Sequence, residues 1–536
     1  MISLSYAGDD PITRFGIQHF LKKSGLAIEL NSLSKSDICI SYRNQEPGIF
    51  SITLKESQIK NSVTGTISTE LGEVPIFEIP FDTGDKDQAL AWYQENGSSY
   101  PCVTRFEGGI KIGFNLFKET GSLLNGHLDR IWPHLDDHQK DLVAQKPLVD
   151  FFEDLLVRFI QLGCEQVNIP LARKAYWPEG KRFAVCLTHD VDEVKKTYQW
   201  ITRPCRFLFS GDLQGLRNQM VSMIQKMQGK EPYWTFSDII KIEQGYGVSS
   251  TFFFLKESAE AELLSPESWH HWGRTRSLEN PEMKAIIRCL RETGFEVGLH
   301  GSFYSYKNPE LLEKEKRDLE AITGGEIRGI RQHHLNLEIP LTWTIHETAK
   351  LSYDTSLGFK DRVGFRYGTC FPFHPLVQGE ELKLLEIPVI LMDITIPMNS
   401  IGWDACRRII AEVERHQGLL TLIWHPPVFN DLEYPHAREM YQRIIELCRD
   451  RGAWITHSGE IFEWWSRREE TGLRMKLEEN TLKIETDPSN TRQYIDLFLP
   501  DRTQIRLDPD SVNIVINGSL SEIGEEITQS FITEDR

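Results

Sequence analysis

Two aspartates separated by one residue are the first side chains in the chain whose spacing suggests chemistry. Asp190 and Asp192 follow the apolar run 183–188, in the sequence Thr188-His189-Asp190-Val191-Asp192. In an extended strand, residues i and i+2 point to the same face, so these two carboxylates lie side by side. They repel each other unless a cation is near, and one carboxylate then binds that cation while the other acts as a base. The alternative is a solvated turn or a helix N-cap.

Two histidines end further apolar runs. His300 closes the run 295–300, and His425 closes the run 419–425. A histidine at the tip of a strand is placed to coordinate a metal or to move protons. Taken alone, each would more often be a structural histidine held by hydrogen bonds.

The run 327–335 contains an arginine and two histidines. Alternation along a strand puts Arg331 and His333 on one face and Gln332 and His334 on the other. Since core histidines have no reason to choose one end of a strand, the convergence of acidic and basic residues at four strand ends indicates a site.

Short apolar runs alternate with helical patterns over the part of the chain that carries these residues. This alternation predicts a parallel sheet, either open or closed into a barrel, whose active site lies at the C-terminal ends of the strands. The strand-like runs are 183–188, 250–255, 295–300, 327–335, 384–390, 419–425 and 453–456, and the helical ones are 281–293, 309–322, 404–417 and 436–451.

The two flanks lack this alternation. We predict an N-terminal α+β domain over residues 1–175, with a helix at 147–161, and a small β-rich module over residues 470–536. The module is indicated by alternating apolar residues between 482 and 516, with Asp-Pro and Asn-Gly turns. The barrel domain spans 180–466.

The composition excludes several classes of protein. The chain has 536 residues and a net charge of −18, which disfavours nucleic-acid binding. The sequence begins without a recognisable secretory signal, and no uncharged apolar run reaches the ~18 residues that a membrane helix needs. The nine cysteines are scattered, which is typical of reduced thiols and favours a cytoplasmic location. The oligomeric state is left open.

Residues 180–466 resemble the polysaccharide deacetylase superfamily, carbohydrate esterase family 4, also called the NodB-homology domain. Residues 188–192 resemble its first motif, T-F-D-D-G, as a D-x-D variant, and His300 matches the first position of H-x-x-x-H, with Tyr304 at the second. The segment 331–333 resembles R-x-P with His333 in place of proline. The segment 353–356 is loosely similar to the fourth motif, and 423–425 resembles L-x-H.

The resemblance implies a distorted (β/α) barrel and a set of roles. Asp190 would be the general base, Arg331 would hold it ionised, and His425 would protonate the leaving amine. Asp192, His300 and His333 would hold a divalent metal, His333 replacing the second-motif histidine, and one carboxylate with two imidazoles suits Zn²⁺. An exchange of roles between the two aspartates is the alternative.

The implied function is that of a metal-dependent hydrolase of non-peptide C–N bonds. An N-deacetylase acting on an N-acetylated sugar or polysaccharide comes first, and a cytoplasmic sugar conjugate fits the lack of a visible signal better than a cell-wall polymer. The alternatives are an allantoinase-like hydrolase of another amide and a non-catalytic carbohydrate-binding protein on a degenerate barrel.

Three further features have two interpretations each. Arg366, in a Gly-rich loop, and Tyr304 are candidate substrate-binding residues, although Arg366 is as readily a surface residue. Methionines at 220, 223 and 227 form a helical stripe that we expect to pack against the domain. The segment 193–230 holds seven Lys/Arg and two Asp/Glu. This positive charge could bind a phosphate-bearing substrate or the surface of an anionic membrane, or it could belong to a solvated helix face.

Overall fold

The computed structural model describes residues 1–31, 36–42, 48–256, 278, 280–478, 481–487, 493–508 and 515–517. These residues form two compact units. Unit 1 comprises the described parts of Met1–Lys181, Tyr367–Thr369 and Trp464–Arg536, and unit 2 those of Arg182–Arg366 and Cys370–Glu463. Within the described part of the chain, no helix is both long enough and apolar enough to span a bilayer.

Ten strands and five α-helices are formed by the described residues up to residue 181. The strands are β1 (Ile2–Ser5), β2 (Ile28–Leu30), β3 (Ser36–Tyr42), β4 (Gly48–Leu54), β5 (Gly65–Thr69), β6 (Gly72–Ile76), β7 (Ala89–Glu95), β8 (Ser98–Phe106), β9 (Gly109–Ile112) and β10 (Leu171–Lys174). The helices are α1 (Pro11–Ser24), α2 (Leu116–Leu124), α3 (His127–Ile131), α4 (Asp137–Ala144) and α5 (Leu148–Val167).

The central part of the chain alternates strands with helices. Its strands are β11 (Ala184–Val191), β12 (Thr251–Leu255), β13 (Glu296–Gly301), β14 (Gly329–Gln332), β15 (Tyr353–Asp354), β16 (Leu376–Val377), β17 (Glu380–Glu381), β18 (Leu385–Glu386), β19 (Leu391–Met392), β20 (Leu419–Ile423) and β21 (Trp454–Thr456). Its helices are α6 (Gln199–Ser210), α7 (Leu213–Met227), α8 (Phe236–Tyr246), α9 (Pro281–Glu292), α10 (Pro309–Thr323), α11 (Leu341–Thr348), α12 (Ser400–Arg415), α13 (Ala437–Asp450) and α14 (Ser458–Glu470).

Unit 1 is built on a nine-stranded sheet in the order β2-β1-β3-β4-β9-β8-β7-β5-β6. The pairs from β2 to β9 are parallel and the others antiparallel. Past α14 the chain forms β22 (Gly472–Glu478), β23 (Thr481–Asp487), β24 (Ile495–Phe498), β25 (Gln504–Leu507) and β26 (Val515–Asn517), with antiparallel pairing.

The N-terminal and C-terminal flanks share a sheet. Strand β10, at the end of the predicted N-terminal domain, pairs antiparallel with β24, and Asp496 of β24 accepts a hydrogen bond from buried Arg173 of β10 at 3.0 Å. Both flanks therefore belong to one compact unit. The domain boundaries at 175, 180, 466 and 470 stay predictions, which limited proteolysis would test. Residues 479–480, 488–492, 509–514 and 518–536 of the predicted module lie outside the described residues.

Unit 2 is a mixed α/β unit around a curled parallel sheet. The strand order is β18-β15-β14-β13-β12-β11-β20-β19, and β21 also pairs with β11, all in parallel. Strands β12 and β20 are buried along their whole length, as expected for a parallel sheet covered on both faces. Asn-Pro pairs at 280–281 and 308–309 cap α9 and α10 at their N-termini, which fixes where these helices begin.

One segment joins the two edges of this sheet. Residue Glu386, in β18, pairs with Asp354 in β15, and six residues later Met392 in β19 pairs with Ile423 in β20. Between them, the Val389 N–H donates to the carbonyl oxygen of Leu357. The segment 385–392 thus reaches from β15 to β20, and the sheet curls so that the C-terminal ends of its strands face a common space.

Candidate active site and metal centre

The structure brings six predicted residues to the C-terminal ends of four strands. Asp190 lies in β11 with Asp192 just after it, and His300 lies near the end of β13. The other three, Arg331 in β14, His333 directly after β14 and His425 two residues after β20, lie at the same end. These strands are parallel, so their C-terminal ends meet at one rim.

Three of these residues form a possible metal site. One ligand atom from each of Asp192, His300 and His333 lies within 4.8 Å of the other two. The Nε2 atom of His300 lies 2.9 Å from Asp192 Oδ1, and His333 Nε2 lies 3.6 Å from Asp192 Oδ2. Both histidines are buried.

The tautomer of His300 fits a cation at this position. His300 Nδ1 lies 2.8 Å from the carbonyl oxygen of Arg331, which can only accept, so Nδ1 carries the proton. In the neutral imidazole, the lone pair of Nε2 then faces a carboxylate oxygen at 2.9 Å, and two acceptors this close must hold a metal ion or a proton between them. In metal sites, a backbone carbonyl oxygen commonly accepts a hydrogen bond from the second ring nitrogen of a ligating histidine and so orients the ring. With His333 as third donor, the three side chains form a group that could hold a metal ion.

Asp190 is held by a buried arginine. Arg331 Nη1 donates to Asp190 Oδ1 at 2.7 Å and to the Thr188 hydroxyl at 2.6 Å, while its Nε and Nη2 donate to the carbonyl and hydroxyl oxygens of Thr355. Burial by itself raises the pKa of Asp190, but the Arg331 charge outweighs it and lowers that pKa below its ordinary value. The carboxylate is therefore ionised and fixed in direction, as a general base must be.

His425 has an acidic partner that the sequence analysis did not identify. Asp393 Oδ1 lies 2.8 Å from His425 Nδ1, and Asp393 Oδ2 accepts from the His425 backbone N–H at 2.7 Å. Burial lowers the pKa of His425, but Asp393, together with Asp192 and Asp190, more than offsets this and raises it to about 10. His425 is thus an imidazolium at neutral pH, with Nε2 3.8 Å from Asp192 Oδ2.

A cavity of about 570 Å³ opens over these groups. Asp190, Asp192, His300 and His425 line its floor. The wall includes Arg206, Lys360, His334 and the aromatic rings of Tyr198 and Tyr434. The cavity therefore presents acidic, basic and aromatic groups on one surface.

The two predicted substrate-binding residues lie elsewhere in unit 2. Tyr304 is 49% exposed and packs edge-on against Phe303, and Arg366 donates to the carbonyl oxygen of Gly358 at 3.2 Å. Neither belongs to the residues that line the cavity. Their role in substrate binding stays a prediction.

The predicted alternation along 327–335 is wrong beyond Gln332. Strand β14 ends there, and His334 adopts a left-handed conformation with φ 58°, so the two-residue period stops. The His334 ring stacks on His333 at 4.0 Å and lines the cavity, whereas Gln332 is buried and bonds to His346. Both histidines therefore lie near the cavity.

The sequence analysis missed residues that hold the site together. Asp393 follows the predicted apolar run 384–390 by three residues, and an acid at a strand end was a usable signal. Thr355 lies in the segment that resembles the fourth motif, and its part is to hold Arg331. His189, inside the first motif, is buried between Glu243 and the carbonyl oxygen of Trp424 and points away from the cavity.

Comparisons with known proteins give distant structural matches only. No family model and no curated protein matches the chain. Solved structures named as polysaccharide deacetylases, from Mycobacterium smegmatis and Pseudomonas aeruginosa, match with TM-scores of 0.37 and 0.36 at 18% and 14% identity, each over 55% of this chain and 94% of theirs. A carbohydrate esterase family 4 pseudoenzyme from Bacillus anthracis matches with a TM-score of 0.27 at 14% identity, over 53% of this chain and 66% of its own. The chain aligns with each of these structures over little more than half of its own length.

Proposed function

We propose that unit 2 is a metal-dependent hydrolase of non-peptide C–N bonds, an N-deacetylase acting on an N-acetylated sugar. The supporting observation is that Asp190, paired with Arg331, and His425, paired with Asp393, line one cavity together with Asp192 and His300, and that His333 lies beside these last two. Its sheet would be the distorted (β/α) barrel of the polysaccharide deacetylases, flanked by an N-terminal α+β domain and a small β module.

The base and the acid have separate positions and separate partners. Asp190 would take the proton of the attacking water, because Arg331 keeps it ionised and aimed. His425 would give a proton to the leaving amine nitrogen, which departs poorly as an anion, and Asp393 would hold the imidazolium in place. Two groups with opposite charges before the reaction are what hydrolysis of an amide requires.

Asp192, His300 and His333 would hold the metal. When bound, a divalent ion supplies Lewis acidity, polarising the amide carbonyl and lowering the pKa of water. One carboxylate and two imidazoles favour Zn²⁺. The role of His333 as a ligand in place of the residue at position 304 is part of the proposal.

The amount of bound metal in variants distinguishes the proposed ligands from neighbouring side chains. Purified protein loaded with Zn²⁺ and passed through a desalting column should retain one ion per chain, and His333→Ala should retain much less. The matched control is His334→Ala, which removes the stacked neighbour and leaves the three donor atoms in place. Equal retention by both variants would contradict the ligand set.

Acetate release and metal retention together distinguish the proposed roles of the two aspartates. Asp190→Asn should keep the metal and lose deacetylation of N-acetylhexosamine oligomers, whereas Asp192→Asn should lose both. The reverse pattern of metal retention would exchange their roles. Activity on cyclic amides instead of the oligomers would favour an allantoinase-like hydrolase, and oligomer binding without metal or turnover would favour a carbohydrate-binding protein.

The proposed substrate is a cytoplasmic sugar conjugate. The nine cysteines are all free thiols, and seven of them are buried, which suits a reducing compartment. Lys360 and Arg206 on the cavity wall would favour a substrate with an anionic group.

A further inference from the structure

Helix α7 in unit 2 is amphipathic, but it buries its polar face and exposes its apolar face. Its buried residues are Gly215, Gln219 and Ser222, of which two are polar. The opposite face carries exposed apolar side chains, with Met220 68% and Met227 83% exposed. A helix on a soluble protein normally turns its apolar face inward, so this one presents to solvent the face that should be covered. The prediction that the methionine stripe packs against the domain is therefore wrong.

A buried carboxylate fixes this orientation. Glu433 accepts hydrogen bonds from the hydroxyl of Ser222 at 2.6 Å, from Gln219 at 3.2 Å, from Lys196 at 2.7 Å and from Arg203 at 3.0 Å. Turning the apolar face of α7 inward would break the two bonds that Ser222 and Gln219 donate and would put apolar atoms against a buried carboxylate, which is costly. The exposed apolar face is thus held outward by the rest of unit 2.

Helix α6 and the turn after it extend the same surface. Nine exposed apolar side chains lie on the two helices, and we call this surface the hairpin face. Its most exposed member, Phe209, lies at the tip of the hairpin and is 93% exposed. The members of the hairpin face are Ile201, Leu208, Phe209, Leu213, Met220, Val221, Met223, Ile224 and Met227.

Four exposed cations lie on the two helices or within four residues of them in the chain. Lys195, Arg206, Arg217 and Lys230 are all exposed, and none has a carboxylate partner among the residues that the structure describes. The segment 193–230 holds seven Lys/Arg and two Asp/Glu in a chain of net charge −18. Exposed apolar residues beside unpaired cations are the combination that binds an anionic bilayer surface.

We propose that the hairpin face docks unit 2 on an anionic lipid bilayer. Phe209, Leu213 and Met227 would enter the boundary between head groups and acyl chains, with the four cations at the level of the lipid phosphates. A second copy of the chain suits this surface less well, because a two-fold contact would place the basic segment against itself. Docking would use no transmembrane helix.

Docking would also place the catalytic cavity beside the membrane. Helix α6 contributes Gln199, Thr202, Arg203 and Arg206 to the wall of that cavity. If the proposed hydrolase function holds, the cavity would receive an amide carried by a lipid with an anionic head group. The docking itself does not depend on the hydrolase, and the experiment below measures only binding to vesicles.

Vesicle flotation of the full-length protein tests the proposal. Wild type should float with vesicles of equal parts phosphatidylcholine and phosphatidylglycerol and should bind phosphatidylcholine alone at least about tenfold more weakly. The double variant Phe209→Ser/Met227→Ser should lower the binding to anionic vesicles about tenfold or more, because two apolar side chains no longer leave water. Arg217→Glu/Lys230→Glu should do the same, and raised salt should weaken wild-type binding.

The matched control is Ile401→Ser, which removes an apolar side chain that is 70% exposed on α12 of the same unit and should not change binding. All substituted residues are exposed, so the variants should fold as wild type does. Equal binding by wild type and Phe209→Ser/Met227→Ser would overturn the proposal. A dimer detected by light scattering and dissolved by those substitutions, without vesicle binding, would overturn it in favour of a second copy.

Discussion

Replacing Arg331 by methionine should destabilise unit 2 strongly, whatever the substrate or metal proves to be. The Arg331 side chain is fully buried, and its guanidinium donates to Asp190 at 2.7 Å, to Thr188 at 2.6 Å and to Thr355 at 2.9 and 3.0 Å. Methionine has a similar length and no donor. The Asp190 carboxylate would then be a buried charge without its counter-ion, which costs about 3–5 kcal/mol.

Hydrogen exchange measures this cost strand by strand. Amide exchange in β11 and β14, followed by mass spectrometry, should accelerate by about two to four orders of magnitude in Arg331→Met, since 1.4 kcal/mol is about tenfold. Measuring strands avoids the assumption that a chain of two units unfolds in a single step. The control is Arg328→Met on the same segment, where the arginine pairs with Glu463 at 2.8 Å on the surface and should contribute at most about 1 kcal/mol.

A double-mutant cycle tests the assigned cause. Asp190→Asn removes the charge that Arg331→Met leaves unpaired, so the double variant should be more stable than the sum of the two single effects by about 1–3 kcal/mol. Strict additivity would refute the coupling. Exchange in Arg331→Met within fivefold of wild type would refute the argument that the buried charge dominates. If Arg331→Met cannot be purified folded, rescue by Asp190→Asn decides the question.

Three further predictions concern the supports of the site. Asp393→Asn should lower the pKa of His425 from about 10 toward its ordinary 6.5, as measured by an NMR titration of the imidazole. His457→Gln should destabilise unit 2 most between about pH 4.5 and 6.5, as followed by urea unfolding at several pH values. Burial lowers the pKa of His457, but Glu296 more than offsets this and raises it. His457 therefore stabilises unit 2 fully at pH values below the ordinary histidine pKa, and this stabilisation is lost as the pH rises through the raised pKa. Burial raises the pKa of Glu296, but His457 more than offsets this and lowers it. Glu296 therefore stabilises unit 2 fully at pH values above the ordinary glutamate pKa, and this stabilisation is lost as the pH falls through the lowered pKa. Gly329→Ala should destabilise unit 2 by about 1–3 kcal/mol in the same unfolding assay, because its Cβ would lie 2.0 Å from a buried tyrosine ring.

Each of these predictions has a contradicting outcome. An unchanged pKa of His425 in Asp393→Asn would mean that other charges raise it. A loss of stability in His457→Gln that is the same at pH 5.5 and at pH 9 would exclude the ion pair as its source. Gly245→Ala is the control for Gly329→Ala, since nothing lies within 4 Å of its added Cβ and a helix gains stability from the change.

The alternation of strands and helices in unit 2 could be predicted because local patterns determine it. The predicted helices 281–293 and 309–322 correspond to α9 and α10, whose first turns are marked by Asn-Pro caps. The strand-like runs at 250–255 and 295–300 correspond to β12 and β13. Strand ends also located the candidate site, because parallel strands bring their C-terminal ends together.

Contacts between distant residues could not be predicted. The run 384–390 was expected to be one strand, but the segment crosses from β15 to β20 and pairs only at its ends. The position of Asp393 near a strand end was a usable signal, but its pairing with His425, 32 residues further along the chain, could not be read from any local pattern. The direction of the methionine stripe depends on Glu433, more than 200 residues away, and periodicity alone does not say which face of a helix is inward. Helix α1 was missed, although Asp10-Pro11 at its start and Gly25 after its end are local helix signals of the same kind.

The pairing of β11 has a consequence for synthesis on the ribosome. This strand is the first of its sheet to be made, yet along one edge it pairs with β20, from Ala184 with Leu419 to Thr188 with Ile423. At a synthesis rate of about 5–20 residues per second, this edge of β11 stays unpaired for about 10–50 s before β20 has been made. During this interval a buried apolar strand has an unpaired edge, which is a template for association between nascent chains. Slowing translation between the two strands should therefore lower the soluble yield, and chaperones that shield extended segments should restore it.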